Sequence, residues 1–300
     1  IACAAKWFPD KKGMINGIAV AGFGAGAFFF NFIQTAIVNP ENVDVDLITA
    51  LQYSRVPRMF IILGIIYFIM VVGGSMLLRN PPEGYKPEGW VAPIIDGKSK
   101  TSSNIEVPRE KAVKLPQFWM LWAMFVLTAA AGLFTIGNIK DFAAEGGISS
   151  DQYLALVGGL AALFNGLGRI VWGWLSDKID YRRTIFVVFG FQAALMITFG
   201  FTNQSQALYL IWACLIYFCF GGNFSLYPTA TADLFGAKNL GPNYGVMFTA
   251  YGIAGISGAL LASVFSGLIG YLGLFIIMGV FSIGSLVVLY FLNPPKAEEI

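Results

Sequence analysis

The residues best placed to do chemistry lie in one stretch, Asn165-Gly166-Leu167-Gly168-Arg169-Ile170-Val171-Trp172-Gly173-Trp174-Leu175-Ser176-Asp177. Arg169 is a cation inside an apolar run that opens near Tyr153. As a helix, the run places it roughly 24 Å along and about 12 Å short of Asp177. In a hydrocarbon core of about 30 Å that is near or just past the midplane, where a lone cation is costly and marks a functional site. Asn165 stands one helical turn earlier, and Gly158, Ala162 and Gly173 continue the same face. A small, polar stripe of this kind faces a bundle interior. The guanidinium there is a planar, permanently charged fork that matches a carboxylate. All 17 Asp and Glu residues map to loops or helix ends, so the sequence shows Arg169 no acidic partner at depth. A bound anion would balance it. The structural alternative is an arginine paired with a carboxylate outside this chain segment, or bonded to backbone carbonyls.

Other chemistries are excluded by what the chain contains. It has no histidine, which removes the commonest general base and proton relay. Cys3, Cys214 and Cys219 all sit in apolar runs without metal-ligand spacing or a disulfide pattern. The run Gly22-Phe23-Gly24-Ala25-Gly26 lies inside an apolar segment and is no phosphate loop. No nucleophile–base pair is visible. The expectation is therefore no enzyme, no cofactor and no metal. A net charge of +2 is too small to argue for nucleic acid.

The elements that must position Arg169 follow from composition. The chain is 57% hydrophobic and 12% charged, with mean hydropathy +0.69, which no ordinary soluble domain shows. Eight apolar runs are long enough to span a bilayer: 13–38, 58–78, 116–138, 152–175, 184–202, 206–232, 243–266 and 270–292. In lipid, runs of this length must be helices, so the expected fold is an all-α polytopic membrane bundle. Alternate loops divide the basic residues 15 against 3, which puts the loops beginning at Trp7, Arg79, Asp177 and Asp233, with the tail after Leu292, on the cytoplasmic side. Trp119 and Trp122, near the start of one run, read as interfacial anchors.

Residues 79–115 form the one long polar stretch, with Pro81-Pro82, Pro87 and Pro93, and read as a flexible cytoplasmic linker. An internal repeat points to two bundles around it. Leu78-Arg79-Asn80-Pro81-Pro82 matches Leu292-Asn293-Pro294-Pro295, Ala21-Gly22-Phe23-Gly24 matches Thr249-Ala250-Tyr251-Gly252, and Phe8-Pro9-Asp10-Lys11 matches Phe235-Gly236-Ala237-Lys238. The reading is residues 1–78 as the end of an N-terminal bundle, 79–115 as the central loop and 116–300 as a six-helix C-terminal bundle. Because the chain opens at Ile1 on the tail of an apolar run, we expect a fragment with its N-terminal helices missing.

With these features in place, the chain resembles the major facilitator superfamily, and within it the oxalate/formate antiporters and the monocarboxylate transporters. The resemblance is carried by Trp7-Phe8-Pro9-Asp10-Lys11-Lys12-Gly13 with Asn16-Gly17, by Asn80-Pro81-Pro82-Glu83-Gly84, and by Asn165-Gly166-Leu167-Gly168-Arg169 followed by Gly173-Trp174-Leu175-Ser176-Asp177-Lys178 and Arg182-Arg183. It covers the whole chain as helices 5 to 12 of the fold. It implies that Arg169 binds a substrate carboxylate, with Asn165 beside it. It also makes Gly173, Asp177, Arg182 and Arg183 the superfamily's loop motif between helices 8 and 9. There Asp177 would accept from a helix N-terminus and pair with Arg182 or Arg183, as a latch on one access state. Asp180 departs from the pattern by standing where the family has glycine, at a turn with positive φ. The antiporters carry a second cation on helix 11, and Tyr251 aligns there; set among small residues, it is expected to face the cavity and join Arg169 and Asn165 as a substrate-binding residue. One visible cation suits a monocarboxylate such as lactate, pyruvate or formate better than the dianion oxalate.

The resulting expectation is a multi-pass transporter of a small organic anion, working by alternating access in the lipid bilayer of the plasma membrane. A coupled proton or a counter-anion are both open. A same-fold carrier of a neutral sugar or nucleoside, with Arg169 structural, is the first alternative, and a non-transporting membrane receptor the second.

Overall fold

The computed structural model describes residues 7, 12–79, 81–82, 85, 106–236 and 239–295, and among these every regular element is helical. The elements are α1 (Lys12–Val38), a single 3-10 turn (Val45–Leu47), α2 (Ala50–Leu77), α3 (Arg109–Ala112), α4 (Pro116–Glu145), α5 (Asp151–Ile179), α6 (Tyr181–Phe199), α7 (Gln206–Phe235), α8 (Leu240–Met247) and α9 (Thr249–Phe291). Residues 240–291 run 52 residues with little interruption, about 78 Å of helix against a core of about 30 Å. Gly270, at φ 65° and ψ 176°, breaks this stretch into two crossings, at the position where the hydropathy pattern separates the seventh and eighth apolar runs. All eight runs therefore lie on helices.

The helix ends differ from the hydropathy bounds for a physical reason. Apolar runs mark what lies in hydrocarbon, whereas the hydrogen-bond ladder continues into the interface. α2 starts at Ala50, eight residues ahead of the apolar run. Thr49 and Gln52 make a reciprocal cap there, with the Gln52 side chain accepting from Thr49 N at 3.0 Å. α4 continues past Asn138 through Lys140 and Asp141 to Glu145.

The six crossings of α4–α9 share one apolar core. Phe142, Phe199, Tyr209 and Phe275 meet at ring-centroid separations of 4.8–6.0 Å, mostly tilted or edge-on, as aromatic quadrupoles prefer. A buried polar thread crosses the same core. Thr128 Oγ1 lies 2.7 Å from Asn223 Oδ1 and 2.9 Å from Tyr227 Oη, and Gln192 Nε2 donates to Thr128 O and Ser282 Oγ at 3.0 and 3.1 Å. Such a network, satisfied apart from the buried Gln192 Oε1, fixes helix register in a medium with no water to replace it. α1 lies along α5, and α2 packs on α1, burying only Gln52 and Leu63. Apolar on all sides, α2 is built to meet lipid or further helices.

Most of the linker, residues 86–105 included, falls outside the described residues, as do Phe8–Lys11 of the proposed repeat. The linker's last part is firmly docked rather than free. Val107, fully buried, donates its N–H to Phe235 O at 2.9 Å and accepts from Asn243 Nδ2 at 3.0 Å.

Asp180 adopts φ 89° and ψ 147°, the glycine-like backbone that the sequence pattern anticipates at this turn. Its carboxylate accepts from Arg182 N at 3.1 Å, capping α6. The strain at such a position is about 1–3 kcal/mol, while replacing an Asp cap by Gly costs a few tenths. Asp180→Gly is therefore expected to stabilise the protein by about 1 kcal/mol net of the added chain entropy, raising Tm by about 2–4 °C in detergent thermal unfolding. A fall in Tm would show that the cap outweighs the strain.

Candidate functional site

The site begins with a helix crossing. α5 and α7 touch backbone to backbone at Gly168 and Gly221. A Cβ on Gly168 would lie 2.1 Å from Phe218 O, and one on Gly221 would lie 2.3 Å from Asn165 O and 3.1 Å from Arg169 N. Only glycine permits that approach, and close approach is how membrane helices gain packing energy without a hydrophobic drive between them. Trp172 Nε1 donates to Phe218 O at 3.0 Å across the same junction. The crossing leaves Asn165 and Arg169 on the face of α5 turned into a cavity of about 700 Å³, bounded by α1, α4, α5, α7 and α9.

Arg169 is 5% exposed and is already held in place. Its Nε donates to Asn165 Oδ1 at 3.0 Å, and its guanidinium carbon lies 3.9 Å from the centre of the Phe224 ring. To the sequence's reading of no acidic partner at depth, the structure adds two neutral ones. The i, i+4 amide and an aromatic face stabilise the cation before any ligand arrives. Tyr251 lines the same cavity, 5.5 Å centroid to centroid from Phe224 and stacked at 15° on Phe248, so α7 and α9 build an aromatic wall beside the guanidinium. The structure therefore brings together the three residues proposed for binding, Arg169, Asn165 and Tyr251.

Phe224 and Phe220, which complete this wall, were not legible in the sequence. α7 is apolar on every side, with Phe220 one of its sixteen buried residues and Phe224 half-buried, so periodicity singles out neither. The one local signal was the doublet Gly221-Gly222, which marks a close helix contact.

The loop-motif residues behave differently. Gly173 faces Ser225 on α7, where a Cβ would lie 3.3 Å from Ser225 Cβ. Arg182 does not pair with Asp177. Its guanidinium donates to the carbonyls of Leu289, Leu292 and Tyr290, closing the C-terminus of α9. The reason is geometric: the extended turn at Asp180 aims the start of α6 at that helix end, where several carbonyls lack intrahelical partners and favour a cation. Asp177 and Arg183 are exposed, and no ion pair joins them among the described residues.

A second cation, Lys140 on α4, also lines the cavity. It pairs with Asp151, at the first turn of α5 and about 27 Å along that helix from Arg169. It is neutralised and too distant to share a small ligand with Arg169. Among the described residues no group of His, Cys, Asp or Glu could hold a metal.

Comparison with known proteins agrees with this architecture. The model of the Major Facilitator Superfamily matches residues 1–256 and 142–300. The chain is 30% identical to "Apicoplast pyruvate carrier 1" of Toxoplasma gondii, over 93% of this chain and 58% of that protein. It is 26% identical to the "Oxalate:formate antiporter" of Oxalobacter formigenes, over 99% of this chain and 66% of that protein. It is also 23% identical to "Monocarboxylate transporter 12" of Rattus norvegicus, over 83% and 52% respectively. The chain thus spans between about half and two thirds of the length of these relatives. A multi-pass helical bundle that buries a guanidinium at a glycine crossing, matched end to end by that family model, belongs to the Major Facilitator Superfamily.

Proposed function

We propose that the full-length protein is a secondary transporter of a small monocarboxylate, working by alternating access, with Arg169 as the carboxylate-binding residue. The observation that carries this reading is a guanidinium at membrane depth that lines a cavity, held at Nε by Asn165 and against one face by Phe224. Such an arrangement fixes the plane of the fork, which lowers the ordering cost of a bidentate carboxylate contact. The aromatic wall of Phe220, Phe224 and Tyr251 suits the short apolar body of lactate or pyruvate, with Tyr251 offering a hydroxyl to its polar end. The neutralised state of Lys140 favours one negative charge on the ligand over two. The relatives named for pyruvate, monocarboxylates, oxalate and formate support the same class. Whether a proton or a counter-anion is coupled lies with groups beyond those at this site.

The test is uptake by the full-length protein in proteoliposomes, comparing labelled pyruvate, lactate, formate and oxalate with a neutral sugar. Saturable uptake of a monocarboxylate, inhibited by other monocarboxylates and not by the sugar, is the expected result. Uptake of the sugar alone would make Arg169 structural and return the neutral-solute reading to first place.

A further inference from the structure

At the end of the cavity far from Arg169, a side-chain hydrogen bond crosses between the α1–α2 pair and the six-crossing bundle. Asn39, just after α1, is 1% exposed, and Asp151, opening α5, is 3% exposed. Asn39 Nδ2 donates to Asp151 Oδ2 at 3.0 Å. The rest of the Asn39 amide is locked in its own loop, donating to Val43 O at 2.7 Å and accepting from Val43 N at 3.0 Å. The other Asp151 oxygen accepts from Lys140 on α4. A backbone bond from Val45 N to Ser149 O, 2.8 Å, closes the same seam. Behind it, Arg55 braces the loop by a two-pronged pair with Glu41 at 2.6 Å and a bond to Val38 O at 3.3 Å. The Arg55 hydrogen bonds hold the Glu41 carboxyl below its ordinary pKa, so this brace stays charged at neutral pH.

We propose that the Asn39–Asp151 contact is a gate, closing this end of the cavity when formed and opening it when broken. The proposal rests on the alternating-access part of the reading above, but not on the substrate. The distribution of partners carries it. The ion pair stays within one body, because Lys140 and Asp151 both belong to the six-crossing bundle. Among the described residues, the hydrogen bonds that cross the moving boundary are neutral on the α1–α2 side: the Asn39 amide and the Val45 backbone N–H. Separation therefore never strands a buried charge without its counter-ion, the costly case, and water entering with the opening can take the place of the amide. Asn39, Lys140 and Asp151 all line the cavity, so parting them joins it to solvent at that end. The basic-residue bias assigns this end to the non-cytoplasmic side.

The gate can be read without any substrate. Gly137 lines the cavity, and a Cβ there meets nothing within 4 Å, so Gly137→Cys provides a reporter in a full-length background with native cysteines replaced. An impermeant maleimide is applied from the non-cytoplasmic side of sealed vesicles. Asn39→Asp sets a like charge against Asp151 across the seam and is expected to speed labelling about tenfold. The reciprocal exchange N39D/D151N restores one carboxylate and one amide and is expected to return the rate to within about twofold of the parent. Lys140→Arg, which keeps both the ion pair and the crossing bond, is expected to label near the parental rate. If N39D does not fold by size-exclusion profile, Asn39→Ala gives the same comparison with a smaller acceleration. Parental labelling in the folded Asn39 variant overturns the gate, as does an acceleration that the reciprocal exchange leaves untouched. A gate that fails here leaves monocarboxylate uptake unaffected as a separate result, and failed uptake leaves the labelling rates meaningful.

Discussion

Arg169→Gln is expected to weaken monocarboxylate binding by the full-length protein about ten- to a hundred-fold and to reduce uptake to near background. The lost contact is a charge-assisted one of roughly 1.5–3 kcal/mol. Glutamine keeps hydrogen-bonding capacity and much of the length, so the change isolates charge and fork from simple bulk. Arg169→Lys is expected to keep a fraction of the activity. Its ammonium preserves the charge but neither spreads over the Phe224 face nor presents two parallel donors. Both variants retain Asn165 and the Gly168–Gly221 crossing and should fold, which a size-exclusion profile and thermal unfolding check directly. Binding of labelled pyruvate and lactate across the three proteins is the measurement. If a folded glutamine variant binds and transports as the parent does, the arginine holds helices together rather than substrate.

The second large effect is expected from a residue that touches no ligand. Gly221→Ala puts a methyl 2.3 Å from Asn165 O and 3.1 Å from Arg169 N, so α5 and α7 must separate by about 1 Å. Overpacking of that kind costs about 1–3 kcal/mol in stability. The larger consequence falls on function, since a 1 Å displacement of a positioned group can cost on the order of a hundredfold. The expected outcome is a modest fall in Tm with a disproportionate loss of uptake. Gly137→Ala, at the open wall of the cavity, is expected to alter neither. A Gly221 variant that loses stability without losing affinity would show that the crossing holds the bundle but does not aim Arg169.

How much of this was written in the sequence divides along physical lines. Membrane character and helix number were legible because hydrocarbon imposes a one-dimensional rule: about twenty apolar residues per crossing, with every backbone group satisfied within the helix. The division of residues 240–291 into two crossings was visible as a gap in hydropathy, and Gly270 supplies the backbone break. Arg169 stood out for the same reason, since a charge in an apolar run is rare and expensive. The unusual turn at Asp180 was legible from pattern because its backbone conformation is local. Whatever depends on the partner's position was not legible. Hydropathy could not show that Phe224 lies over the guanidinium, because α7 is apolar all round and its orientation is set by the contact of Gly221 with α5. The loop motif offered Asp177 either Arg182 or Arg183 as a partner, but the direction of α6 delivers Arg182 to the carbonyls ending α9. Asp151 read as one more loop carboxylate. Only the approach of α1 to α5 and of Lys140 from α4 makes it a buried junction between two parts of the chain. The sequence by itself determined which segments enter the membrane and which charge they carry there, because transfer into lipid is a property of each segment alone. Tertiary structure decided what that charge meets, because contact distances between helices are set by side chains far apart in the chain.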